Sequence, residues 1–225
     1  MEQKDAAALA TALVIALVIL IAADWARDLW KGRSKFTLNQ TRPIASSLDD
    51  FQYRVHPGHD GAEQAADIMD KLNLRSVELM RHLREKYVRD PRGTEWPERK
   101  EATRRLLAHY NPDNLVENSP RDPDGDTSYT INKGEVLAFC LRAKDSHGFH
   151  DMETLTFVAL HELTHIAITD QDHPPRFWRA FKFVLEDARE AGVIRGQDYG
   201  RSPTRYCGMD IDYSPLFDEK LEPFV

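Results

Sequence analysis

Hydrophobic and polar positions divide this chain into an apolar leading run, a polar stretch and a body with helical and strand-like periods. Residues 6–23 are uncharged, and Thr11 is the one polar side chain among them. A core helix keeps a polar face, and this run has none. About 20 apolar residues span a bilayer as a helix, so the run predicts a transmembrane anchor. Trp25 and Trp30 follow at interfacial positions. The acidic start, with Glu2 and Asp5, and the absence of an Ala-x-Ala site favour a retained anchor over a cleaved signal peptide. Arg27, Lys31, Arg33 and Lys35 come next. Positive flanks stay cytoplasmic, which places the body in the cytosol. The predicted division is a tail (1–5), an anchor (6–23), a juxtamembrane linker (24–60) and one domain (61–225).

Within that domain, Ala62 to Val88 carries an apolar stripe of Ala65, Ile68, Met69, Leu72, Leu79, Met80, Leu83 and Tyr87. That spacing predicts a long amphipathic helix. Glu98 to Tyr110 predicts a second helix, closed by Asn111-Pro112. Leu115-Val116 starts a short strand. Ser128 to Asn132 and Glu135 to Leu141 read as a hairpin around Lys133-Gly134. Asp151 caps a helix that runs through the apolar stretch Leu155 to Leu160. Phe177 to Ala191 is a further amphipathic helix. Helices and a small sheet in this order make an α+β body.

The chemistry lies at the end of that apolar stretch, in His161-Glu162-Leu163-Thr164-His165. Residues four apart on a helix share a face, so both imidazoles can meet one metal ion with Glu162 beside them. Zinc peptidases use this arrangement, with the carboxylate taking a proton from an activated water. Catalytic zinc takes three protein ligands and keeps a fourth position open. Two residues could supply the third. His173 stands before Pro174-Pro175, which suit the first turn of a new helix. Glu186 lies on that following helix, at a spacing comparable to the second-helix glutamate of thermolysin-like enzymes.

The stretch Thr127 to Trp178 resembles WLM-type and related small zincin metallopeptidases, closest to uncharacterised, often virus-encoded members. Thr130-Ile131-Asn132-Lys133-Gly134-Glu135, Cys140-Leu141-Arg142, His150-Asp151, the His161–His165 motif, His173 and Phe177-Trp178 carry the likeness, with Tyr206-Cys207-Gly208-Met209 near the end. WLM domains place their third histidine closer to the motif than His173 is. The resemblance implies a minimal zincin-like domain, zinc on His161, His165 and His173, Glu162 as general base, and a polypeptide substrate. Tyr206, from its place in the Tyr-Cys-Gly-Met stretch, is the candidate to stabilise the oxyanion. Other zincins bind extended substrate by strand addition, here along Glu135 to Leu141.

Composition narrows the alternatives. The net charge is −7 and charged residues make up 30%. Such a chain lacks the basic footprint of a nucleic-acid binder. Cys140 and Cys207 make no disulfide framework and read as small buried hydrophobes. Asp122, Asp124 and Asp126 alternate, but Thr127 and Lys133 stand where a calcium loop needs Gly and Glu. His56, His59, His82 and His109 have no ligand spacing and read as surface residues. Two rivals remain: a membrane-tethered interaction protein with a structural or vestigial metal site, and a zinc hydrolase of small molecules.

Overall fold

Gly61, with a φ of 75°, turns the chain into α1 (Ala62–Leu83). The predicted stripe faces inward, with Ala65, Met69, Leu72 and Leu79 fully buried. At Arg84–Arg89 the helix widens into a π-helical turn that carries Tyr87 inward. There its hydroxyl donates to Asp187 Oδ2 at 3.0 Å. Pro97 opens α2 (Pro97–His109), where a missing N–H costs nothing. The computed structural model describes residues 40–57, 59–90, 95–119, 127–144, 146 and 148–225, and residues 40–225 form one unit.

The expected anchor at 6–23 and its flank to residue 39 lie outside the described residues, as do Asp122, Asp124 and Asp126. Among the described residues no helix is long and apolar enough to cross a membrane. The expected single-pass membrane localisation is corrected on that finding. The longest described helix, α1, exposes Glu63, Lys71 and Arg81, which no hydrocarbon core would accept.

Five strands form a mixed sheet in the order β1-β2-β3-β5-β4. They are β1 (Arg42–Ala45), β2 (Gln52–Val55), β3 (Leu115–Asn118), β4 (Tyr129–Ile131) and β5 (Val136–Cys140). The three inner strands run parallel, and both edges pair antiparallel. β5 is buried at all five positions, as its unbroken run Val-Leu-Ala-Phe-Cys requires. The described part of the expected linker, from residue 40 to 60, instead supplies β1 and β2. Tyr53 and Val55 alternate into the core, but a four-residue alternation is too short to stand out along a chain. His56, expected at the surface, is buried, and its backbone N–H donates to Glu117 Oε2 at 2.8 Å.

The predicted hairpin is β4–β5. Its turn needs positive φ at Asn132, Lys133 and Gly134. A Cβ on Gly134 would sit a tight 3.0 Å from the His109 carbonyl oxygen, and its φ of 114° would strain any other residue. A second hairpin joins β6 (Thr204–Tyr206) to β7 (Met209–Ile211) through Cys207 and Gly208, both at positive φ. Cys140 and Cys207 are disulfide-bonded, where separate buried thiols were expected. The turn brings Cys207 to the end of β5, with the Cα atoms 6.3 Å apart, and so ties hairpin to sheet.

Asp151 caps α3 (Met152–Ala167), accepting from the amides of Glu153 and Thr154 at 3.0 Å each. Burial works to raise its carboxyl, but these amides and the Thr154 hydroxyl outweigh it and hold it below its usual range. Asp151→Ala is expected to cost about 1 kcal/mol in urea unfolding at neutral pH. A depressed carboxyl stabilises the fold above its unfolded pKa, and the contribution is lost as pH falls through the folded value. The difference between parent and variant should therefore shrink in acid, and a constant difference down to pH 2 would refute the role of the ionised cap.

Candidate metal centre

α3 is apolar almost all round, so it runs through the core instead of over it. Its last two turns present His161 and His165 along one side, half-exposed, with Glu162 beside them and nearly enclosed. After Ile168 the chain leaves the helix, and Asp172 adopts a φ of 56°. That reversal returns His173 over the helix before Pro174 and Pro175 start α4 (Pro175–Glu190). Two ion pairs of Arg176 pin the reversal, to Asp170 Oδ2 at 2.6 Å and Glu98 Oε1 at 3.0 Å. Lys133 Nζ, from the β4–β5 turn, donates to the Asp170 carbonyl.

The three Nε2 atoms converge. His161 and His165 stand 3.3 Å apart, His165 and His173 3.1 Å, and His161 and His173 2.9 Å. Mutual hydrogen bonding cannot satisfy this triangle. Each Nε2 is either a donor or an acceptor, so at least one pair must be alike. A central cation resolves it. Tetrahedral zinc at about 2.0–2.1 Å from each nitrogen separates the ligands by roughly 3.3 Å, close to the observed spacing. Burial lowers all three imidazole pKa values, helped at His161 and His165 by neighbouring histidines, with His165 at about 4. The rings are therefore neutral at pH 7, as ligands must be. Phe177, fully buried, lies under all three, with ring centroids 4.4 to 4.8 Å from theirs.

The Glu162 carboxylate accepts from the Thr130 hydroxyl at 2.7 Å. Burial pushes its carboxyl up to about 7, opposed by that hydrogen bond. Thr130 sits on the edge strand β4, and nothing in its local sequence marks it for this contact. Tyr206, on the β6–β7 hairpin, lines the same cleft as His161, Glu162 and His173. Its hydroxyl pairs with Ser128 Oγ at 2.6 Å, and Ser128 Oγ also accepts from the Cys140 amide at 3.0 Å. Burial raises the phenol well above its usual value, so it stays protonated.

Glu186 is not brought to the cluster. It faces the other side of α4, with Oε2 3.6 Å from Arg99 Nη2. Cys207 is committed to its disulfide and offers no fourth ligand. A second group with metal-like spacing exists among the described residues, His82, Asp187 and Glu190. A cation already serves it: Lys86 Nζ lies 2.9 Å from Asp187 and 2.5 Å from Glu190.

A family model described as WLM domain matches residues 109–207. Uncharacterized protein R325 of Acanthamoeba polyphaga mimivirus is 30% identical over 202 residues, covering 89% of this chain and 93% of that protein. Uncharacterized protein 136R of Invertebrate iridescent virus 6 is 33% identical over 72 residues, 31% of this chain and 40% of that protein. The crystal structure of Wss1 from Saccharomyces cerevisiae superposes with a TM-score of 0.44 at 20% identity, over 61% of this chain and 87% of that one.

Proposed function

This chain belongs to the WLM-domain family, a metallopeptidase-like group, and from that premise we propose that it hydrolyses peptide bonds of protein substrates with zinc held by His161, His165 and His173. The observation that carries the reading is the triangle of imidazole nitrogens beside a buried, hydrogen-bonded carboxylate. Zinc bound there would supply Lewis-acid polarisation of the scissile carbonyl and a more acidic water. Glu162 accepts the proton of the attacking water and delivers it to the leaving amine. The Thr130 hydroxyl aims the carboxylate. On this reading Tyr206, protonated and paired with Ser128, donates to the developing oxyanion. Three ligands with a fourth position open favour a catalytic site over a structural one. The peptidase domain on this reading is the zincin-like body from β1 onward.

Strand addition along Glu135 to Leu141 is corrected. β5 is an inner strand, paired by β3 along one edge and by β4 at Val136–Ala138 along the other. β4 is the sheet edge beside Glu162, so extended substrate would dock along Tyr129–Ile131 instead.

The ligand assignment is tested by zinc titration with casein cleavage. The parent should bind one zinc per chain. His173→Ala should lose more affinity than the roughly 10–100-fold that removal of an outer hydrogen-bond partner costs, together with all cleavage. Glu186→Ala should bind zinc as the parent does. Retention of affinity within tenfold in His173→Ala would exclude His173 from the ligand set.

A further inference from the structure

The cleft lined by His161, Glu162 and His173 encloses about 390 Å³. Its floor comes from α3, where Phe157 and Val158 sit one turn before His161 and Glu162 on the same face. Trp178 and Phe181 of α4 form one wall, and Ile211 of the β6–β7 hairpin faces them. The volume is at the small end of ligand cavities, which run about 300–1,000 Å³. It suits a side chain and not a folded segment. Its polar lining is Thr127, Ser128, Tyr206 and the metal-site residues. Of the lining carboxylates Glu162 is buried, while Asp210 and Asp212 are exposed. Asp210 pairs with Arg205 at 3.2 Å. A polypeptide held along β4 would pass the mouth of this cavity at the point of bond cleavage.

Resting on the peptidase reading, we infer that this cavity receives a large apolar side chain, aromatic or long aliphatic, of the residue adjoining the scissile bond. Phe157, Val158 and Ile211 then determine specificity, by contact with that side chain and not with the reacting atoms. Apolar walls reward each added methylene, and the lining polar groups already have protein partners, Ser128 with Tyr206 and Glu162 with Thr130.

The test uses the full chain loaded with zinc and two succinyl hydroxamates that differ only in carrying a benzyl or a methyl group next to the hydroxamate arm. Their affinities are measured beside the cleavage profile on a peptide library. The parent should bind the benzyl probe at least about tenfold tighter and cleave next to Phe, Tyr, Leu or Met. Val158→Phe fills the floor, and Ile211→Trp narrows the cavity from the half-buried hairpin side. Either folded variant should bring the two affinities together and shift cleavage toward small residues. Equal affinities in the parent, an unchanged ratio in both variants, or a preference for basic residues would overturn the inference. Cleavage without side-chain preference would defeat the cavity alone. A benzyl preference without any cleavage would support the cavity and defeat the peptidase reading.

Discussion

Glu162→Gln is expected to lower kcat by about 10²–10⁴-fold, the usual worth of a positioned general base, and to leave zinc content unchanged. The amide keeps the shape of the carboxylate and still offers an oxygen to the Thr130 hydroxyl, 2.7 Å away in the parent. What it cannot do is take a proton. Glu162 is 4% exposed, so bulk water has poor access to replace it. A loss of 10³-fold corresponds to about 4 kcal/mol of transition-state stabilisation. Unfolding should not become easier, because the substitution removes a buried carboxylate whose ionisation burial opposes. Rates on a fluorogenic peptide, with zinc measured on the same samples, decide the matter. A variant within tenfold of the parent would remove Glu162 from the proton-transfer role.

The second large effect concerns stability. Glu117→Ala should destabilise the domain by about 3–5 kcal/mol, the range for breaking a buried ion pair by removing one partner. Glu117 is fully buried on β3 and accepts from Arg142 Nε and the His56 amide, both at 2.8 Å. Arg142 is 2% exposed and donates onward to the Asp60 and Gly61 carbonyls at the start of α1. Its guanidinium also lies 4.3 Å over the Phe149 ring. Without Glu117 the cation is sealed in without its counter-charge, and three segments lose their common anchor. Glu117→Gln keeps an acceptor and should cost less. Since whole domains are stable by only about 5–15 kcal/mol, the alanine variant should show a large fall in urea midpoint. A loss under about 1 kcal/mol would mean that water reaches Arg142 once the carboxylate is gone.

Much of the scaffold around these residues was legible because it rests on local periods. The apolar stripe of Ala62 to Val88 and the Asp151 cap each announce a helix; the structure starts the first at Ala62 and carries it past Leu83 as a π-helical turn to Arg89, and starts the second at Met152. Lys133-Gly134 announced the β4–β5 turn, where the positive φ of Gly134 suits glycine. The strands that escaped notice lack such signals. β1 is mostly exposed along its length, so no apolar alternation marks it. The β6–β7 turn places a cysteine at positive φ, where Asn or Asp would have signalled a two-residue hairpin. Its attachment to β5 through Cys140 spans 67 residues, and no local pattern records that.

The sequence by itself determined the near half of the metal centre. Helical geometry places residues four apart on one face, so His161, His165 and the intervening Glu162 follow from their spacing once the helix is granted. It could not choose between His173 and Glu186, because separation along a chain does not set direction after a helix has ended. Tertiary structure decided which side chain meets the pair. The reversal at Asp172, held by Arg176 and Lys133, brings His173 Nε2 to 2.9 Å from that of His161, while α4 turns Glu186 toward Arg99. The hydroxyl on Glu162, the seat of Tyr206 on Ser128 and the apolar cavity likewise depend on contacts between segments distant in sequence. Such contacts are decided by how buried faces pack, and no local pattern specifies them.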